Sequence, residues 1–288
     1  MPAPTVRELI AALERWFEPA WAEPWDNVGL VLGDSARSAG GVHIAVDPTS
    51  AVAAEAVTLG AGLLITHHPL WLDGIRDMAG DKGHTYRTLE AGGCALYVAH
   101  TNADRAQPGV SDALGKLLEL TGLRPLALPP APRRQGEASP GHPPCAGEPA
   151  RPGFGLGRVG ELAEPMSLRA FVDRVARVLP ATAAGIRASG NPDRVVRTVA
   201  VAGGSCLDLA DEAAAAGADV LVTSDAKHHR AQEAPLAVVD IAHWAGEWPW
   251  TVALGERLRK SFPALMVTVS GLVTDPWTMV AGVAGATV

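Results

Sequence analysis

VHIAVDPTSAVAAEAVTLGAGLLITHHP, residues 42–69, decides the fold. Val42 to Pro48 reads as a buried strand, SAVAAEAVTLG as an Ala-rich helix stopped by Gly60, and AGLLITHHP as a second buried strand. Strand, helix and strand within this length make a βαβ unit, whose two strands run parallel. Downstream, CALYVAHTNAD (Cys94 to Asp104) supplies a further strand. Upstream, Thr5 and Glu8 form a Thr-x-x-Glu capping box ahead of the apolar-periodic LIAALERWF. The stretch EPWDNVGLVLGD between them is turn-rich, its Pro24 and Gly29 breaking any period.

The second half repeats the theme. EAVTLGAGLLITHH, starting at Glu55, matches EAAAAGADVLVTSD, starting at Glu212, without a gap. The preceding strands HIAVDP and TVAVAGG also correspond if a small slip is allowed. Such self-similarity predicts two related α/β lobes with mostly parallel sheets. GRVGEL, IRASG, RTVAVAGG, VVDIAH and MVTVSG read as strands of the second half, with helices at SLRAFVDRVARVL, capped by Ser167, and at ALGERLRKSF. Between the halves, eight prolines from Pro129 to Pro152 and almost no large apolar side chains describe a linker, which also holds His142 and Cys145. The expected division is 1–128, an N-terminal lobe; 129–153, the linker; and 154–288, a C-terminal lobe.

Composition narrows the function classes. The chain has 288 residues, 48% hydrophobic and 19% charged, the profile of a packed globular protein. A net charge of −7 argues against broad attraction to nucleic acid or an anionic membrane. Three cysteines (Cys94, Cys145, Cys206) without a CxxC spacing disfavour a disulfide framework or a thiolate zinc clip. The N-terminal MPAPTVRELI lacks the basic and apolar regions of a signal peptide, and the apolar runs are too short to span a bilayer. A cytoplasmic setting is the expectation.

The histidines are placed where α/β proteins bind ligands, at the carboxyl ends of strands. His67 and His68 end GLLIT. Neighbouring side chains of an extended segment point to opposite sides, so this doublet suits two ions better than one. His100 and Asp104 close CALYVA, and a carboxylate can bridge two cations. His243 follows AVVDI, with Glu247 four residues on, a spacing that puts both on one helix face. Each cluster also has a plainer reading: a hydrogen-bonded loop histidine, a helix-capping Asp104, or a Glu247 favouring a helix N-terminus whose first turn holds Pro249. Three strand ends delivering such groups separately shift the balance. His67, His68, Asp104, His243 and Glu247 supply three imidazoles and two carboxylates, suited to two divalent ions among Zn, Fe, Mn, Co and Ni. Five protein donors leave positions open, the mark of a catalytic rather than a structural site. TSDAKHH, Thr223 to His229, ends a strand of the second half; Asp225, Lys227, His228 and His229 can line a substrate pocket there or simply form a solvated helix start.

WDNVGLVLGD, AVDPT, ITHHPL, AHTNAD, GRVGEL, TSDAKHH and DIAHWAGE follow one another in the order seen in the NIF-three-like family, whose members carry the label GTP cyclohydrolase 1 type 2 homologue. The resemblance covers almost the whole chain apart from the Pro-rich stretch. It implies a di-metal centre in the cleft between two α/β lobes, with ligands at His67, His68, Asp104, His243 and Glu247. It implies a toroidal homohexamer, and it makes His100 a near-site residue able to shuttle protons. Asp26 and Asn27 match a family motif without a chemical role that their identities reveal. Two functions follow from the resemblance and the donor set. One is metal-dependent hydrolysis of a nucleotide or other phosphate-bearing small molecule. The other is non-enzymatic: a metal-binding ring that buffers metal or docks a regulatory protein. Nucleic-acid binding is disfavoured by the charge.

Overall fold

The computed structural model describes residues 3–72, 78–127 and 154–281. In chain order its helices and strands begin with α1 (Val6–Trp16), β1 (Gly29–Leu32), β2 (Gly41–Ala45), α2 (Ser50–Thr58), β3 (Leu63–Thr66), α3 (Gly80–Gly92), β4 (Ala95–Val98) and α4 (Thr101–Arg105). They continue with α5 (Val110–Leu117), β5 (Thr121–Ala127), β6 (Leu156–Ser167), α6 (Leu168–Val178), β7 (Arg187–Ala188), β8 (Val195–Val201) and α7 (Ala210–Ala215). The last are β9 (Val220–Ser224), α8 (His228–Glu233), β10 (Ala237–Ile241), α9 (His243–Ser261) and β11 (Met266–Val269). The linker expected at 129–153, with His142 and Cys145, lies outside the described residues.

The chain forms two compact units, one of Met1–Val110, Leu128–Gly155 and Trp250–Leu272, the other of Ser111–Ala127, Leu156–Pro249 and Val273–Val288. This differs from the contiguous division expected at the Pro-rich stretch, and strand pairing is the reason. β11, from the far end of the chain, adds in parallel to β2 of the first unit. β5 pairs antiparallel with β6 and so belongs to the second.

The first unit holds a sheet of order β1-β4-β3-β2-β11, parallel except at β1. β2, β3 and β4 are buried along their whole lengths. That explains their unbroken apolar runs, because a parallel strand is covered on both faces. Val52, Ala53 and Ala56 of α2 and Leu89 of α3 pack with Leu64, Leu96 and Val98 of the sheet. α1 begins with the expected capping box between Thr5 and Glu8.

The second unit has the order β5-β6-β8-β9-β10-β7: a parallel centre, β8-β9-β10, framed by antiparallel strands. α6, capped by Ser167, lays Leu168, Phe171 and Val175 against one face. α7 lays Ala210 and Ala213 against a cluster containing Leu221 and Val238. The edge strands β1 and β5 were not evident in the sequence. β1 opens on Gly29, β5 contains Gly122 and Pro125, and neither shows a clean alternation.

The repeat read from the sequence has a structural counterpart. α2 and α7 each join two parallel strands, and each ends on a glycine in the left-handed region, Gly60 at φ 69° and Gly217 at φ 82°. In both, the next alanine donates back to the helix at 3.0 Å, Ala61 to Ala56 and Ala218 to Ala213. This six-to-one bond is the closure of a helix ended by an αL glycine.

Candidate metal centre

β3 ends at Thr66, so His67 and His68 lie just past the last strand residue and the expected alternation does not apply to them. Their rings are 5.1 Å apart at the centroids and tilted by 44°, side by side rather than opposed. Buried His67 has its Nδ1 2.9 Å from the Ala99 carbonyl oxygen, and His68 Nδ1 lies 2.6 Å from Asp47 Oδ1. A carbonyl or carboxylate oxygen only accepts, so Nδ1 carries the proton and Nε2 presents its lone pair.

His100 follows the same rule. Its Nδ1 donates to Asp26 Oδ1 at 2.8 Å. Asp26 also accepts from the Thr101 N–H at 3.0 Å and from the Thr101 hydroxyl. Burial alone would raise its carboxyl pKa, but the bonds from His100 and Thr101 outweigh it and hold the group down at about 2. The charge of this aspartate is therefore structural in effect: it fixes the His100 ring. His67, His68 and His100 each bring one nitrogen within 4.8 Å of the other two. Asp104, in the helical turn α4, places Oδ1 3.8 Å from His67 Nε2. His67 also packs against Trp250, with centroids 5.3 Å apart.

The second unit carries its own pair. α9 starts at His243, so Pro249 is its seventh residue and Glu247 its fifth, not the first-turn positions expected. His243 Nδ1 lies 2.6 Å from Asp225 Oδ2 and its Nε2 2.9 Å from Glu247 Oε1. Asp225 holds φ at +55°, a left-handed backbone that costs a non-glycine residue energy and aims this carboxylate. Gly204, at φ +75°, makes room: a Cβ there would sit 2.7 Å from Glu247 Oε1 and 3.3 Å from His243 Nε2.

The two units share a pattern. AHTNAD follows β4 and AHWAGE follows β10, each the third strand of a parallel trio, and each gives His-x-x-x-acid. Of the TSDAKHH residues, Asp225 bonds His243, Lys227 precedes α8, and His228 lines a cavity of about 350 Å3 with Arg187, Gln232 and Asp240. Asp47 was missed altogether, although it lies two residues past the end of β2, the strand beside β3.

The donors suit divalent cations: imidazole nitrogens whose other nitrogen is pinned by an oxygen, carboxylates beside them, and a side-chain-free cradle at Gly204. No helix among the described residues is long and apolar enough to cross a membrane.

Known proteins are similar to this chain over almost its whole length. A protein of Streptomyces coelicolor named GTP cyclohydrolase 1 type 2 homolog is 46% identical, covering 96% of this chain and 94% of its own. A protein of the same name from Mycobacterium tuberculosis is 34% identical over 94% of this chain and 96% of its own. The crystal structure of a Bacillus cereus protein related to NIF3 superposes with a TM-score of 0.85 at 25% identity, covering 97% of this chain and all of that one. The profile of the Duf34/NIF3 (NGG1p interacting factor 3) family matches residues 4–276, and the chain belongs to that family.

Proposed function

We propose that the chain is a metal-dependent hydrolase of a nucleotide or another phosphate-bearing small molecule, working at a dinuclear centre held by His67, His68, Asp104, His243 and Glu247. The observation that carries the reading is the way the imidazoles are oriented: His67, His68 and His243 each have Nδ1 against an oxygen, and Nε2 of His67 and of His243 stands beside a carboxylate, 3.8 Å from Asp104 Oδ1 and 2.9 Å from Glu247 Oε1. Oriented imidazoles with carboxylates at hand are the donor set of hydrolytic centres. Divalent ions held there supply Lewis acidity toward a substrate oxygen and acidify water.

The residues of the chain do the rest. Asp47 and Asp225 hold His68 and His243 in one tautomer. Asp26 holds the His100 ring through Nδ1, with one His100 nitrogen within 4.8 Å of nitrogens of His67 and His68, and His100 is the proton shuttle of this reading. His228, with Asp225 and Lys227 adjoining it in sequence, belongs to the substrate side. The name carried by the relatives supports a purine nucleotide as the first substrate to try. Metal identity among Zn, Fe, Mn, Co and Ni is open to elemental analysis.

The setting proposed is the cytoplasm, and the assembly a toroidal homohexamer. Exposed Val273, Trp277, Met279 and Val280 are apolar surface that an assembly of copies would cover. Light scattering is expected to give about six times the 29.8 kDa chain mass. The deciding experiment is turnover of a nucleotide panel by metal-loaded protein, with loss of at least 100-fold in a His67→Ala/His68→Ala variant. Full metal loading with no turnover of any member would favour instead a metal-binding ring that buffers metal or docks a regulatory protein.

A further inference from the structure

Indole rings are usually covered, because they bury more apolar area than other side chains. Trp25 is not: it is 55% exposed, in the loop before β1. Its ring stands edge-on to that of His100, with centroids 6.0 Å apart and planes at 73°. The exposure does not come from a slack loop. On one side of Trp25, the Glu23 N–H donates to Thr101 Oγ1 at 2.9 Å, and Arg105 donates to the Trp21 carbonyl at 2.9 Å and pairs with Glu23. On the other side, Asp26 takes its bonds from His100 and Thr101, and Asn27 Nδ2 donates to the Trp71 carbonyl at 2.9 Å. The loop is fastened on both sides, to α4 and to Trp71, and the ring between the fastenings faces solvent.

We propose that Trp25 is the platform on which a planar heterocycle of the substrate, of the nucleobase class, stacks beside His100. The inference rests on the function proposed above and deepens it by naming the residue that selects the ring. A rigidly mounted aromatic face gives up little conformational freedom when a ligand settles on it. It also accepts any flat π-system, which is how proteins hold bases without reading their edges. A ring lying parallel to the indole would meet the His100 imidazole plane at the same steep angle. This assigns the short WDN segment its chemistry: Asp26 and Asn27 fasten the loop, and Trp25 presents the surface.

The test uses metal-loaded full-length protein, with guanosine, adenosine and cytidine as ring probes and ribose 5-phosphate as the ring-free control. Affinities are read by calorimetry for wild type, Trp25→Phe and Trp25→Ala, and metal content and light scattering are measured on the same samples. Trp25→Ala is expected to weaken at least one nucleoside by roughly 10- to 100-fold, the range lost with one base–aromatic stack. Trp25→Phe should stay within about threefold, since a phenyl face also stacks, and ribose 5-phosphate should move by less than about twofold. Unchanged nucleoside affinity in Trp25→Ala overturns the proposal. So does equal loss for ribose 5-phosphate, or no nucleoside binding to the wild type. A change of assembly state with nucleoside affinity intact would mean that a second copy covers Trp25, and overturns it as well. Metal content separates the two readings: full loading without nucleoside binding removes the platform alone, whereas failure to load metal removes the hydrolytic centre.

Discussion

A histidine serves a cation well only when one ring nitrogen is tied down and the other is aimed. His67 is tied to a backbone carbonyl, His68 to Asp47, His100 to Asp26 and His243 to Asp225. Replacing an orienting carboxylate by its amide keeps the size but weakens the hydrogen bond and frees the tautomer. Asp47→Asn and Asp225→Asn are each expected to lower metal affinity about 10- to 100-fold while leaving the fold intact, as outer partners of ligands do elsewhere. Titration of metal-free protein with a chelator competitor measures this; unchanged affinity in both would remove their orienting role. The histidines and acids of the proposed centre stand out in the sequence because the segments that carry them follow apolar strands. Their orienting partners were not. Asp47 serves His68 because β2 lies beside β3, and Asp225 serves His243 because β9 lies beside β10. Strand adjacency is information that spacing along the chain does not carry.

Among the elements, the paired helices α2 and α7 make the strongest case for an internal repeat. A Cβ at Gly60 or Gly217 would meet nothing within 4 Å, so the cost of Gly→Ala there is conformational alone. Each substitution is expected to destabilise by about 1 kcal/mol, the penalty for an L-residue in the left-handed region. Denaturant titration of the two variants checks this, and a negligible cost at either would contradict a shared cap.

β2 carries a second testable feature. Buried His43 bridges Thr268 of β11, at 2.8 Å from Nδ1, and Glu55 of α2, at 3.1 Å from Nε2. Burial pushes its imidazole below the usual range, with Glu55 pulling the other way. As pH falls through about 6.5 the unfolded chain takes up this proton before the folded one does, so acidification costs stability. His43→Gln should therefore flatten the drop in melting temperature between about pH 7.5 and 5.5; an unchanged slope would show that His43 does not report on this window. The core strands and α1, α2 and α6 could be read from pattern and caps. The end of α9 toward the site could not, because Pro249 suggests a first turn, whereas the helix already begins at His243.

For the whole molecule, the sequence suggested two lobes joined at a Pro-rich stretch, and the structure forms two units whose segments interleave along the chain. Late strand β11 completes the first sheet, a long-range pairing that no local signal announces. Each unit contributes part of the proposed donor set: His67, His68 and Asp104 from one, His243 and Glu247 from the other. A shared centre is thus a statement about the protein entire. Anomalous diffraction at the metal edge, from crystals of the purified protein, tests it most directly. Two peaks about 3.5–4 Å apart, touched by all five side chains, are expected for a two-ion hydrolytic site. Peaks far from each other and each confined to one unit's residues, or none beside these side chains, would contradict it.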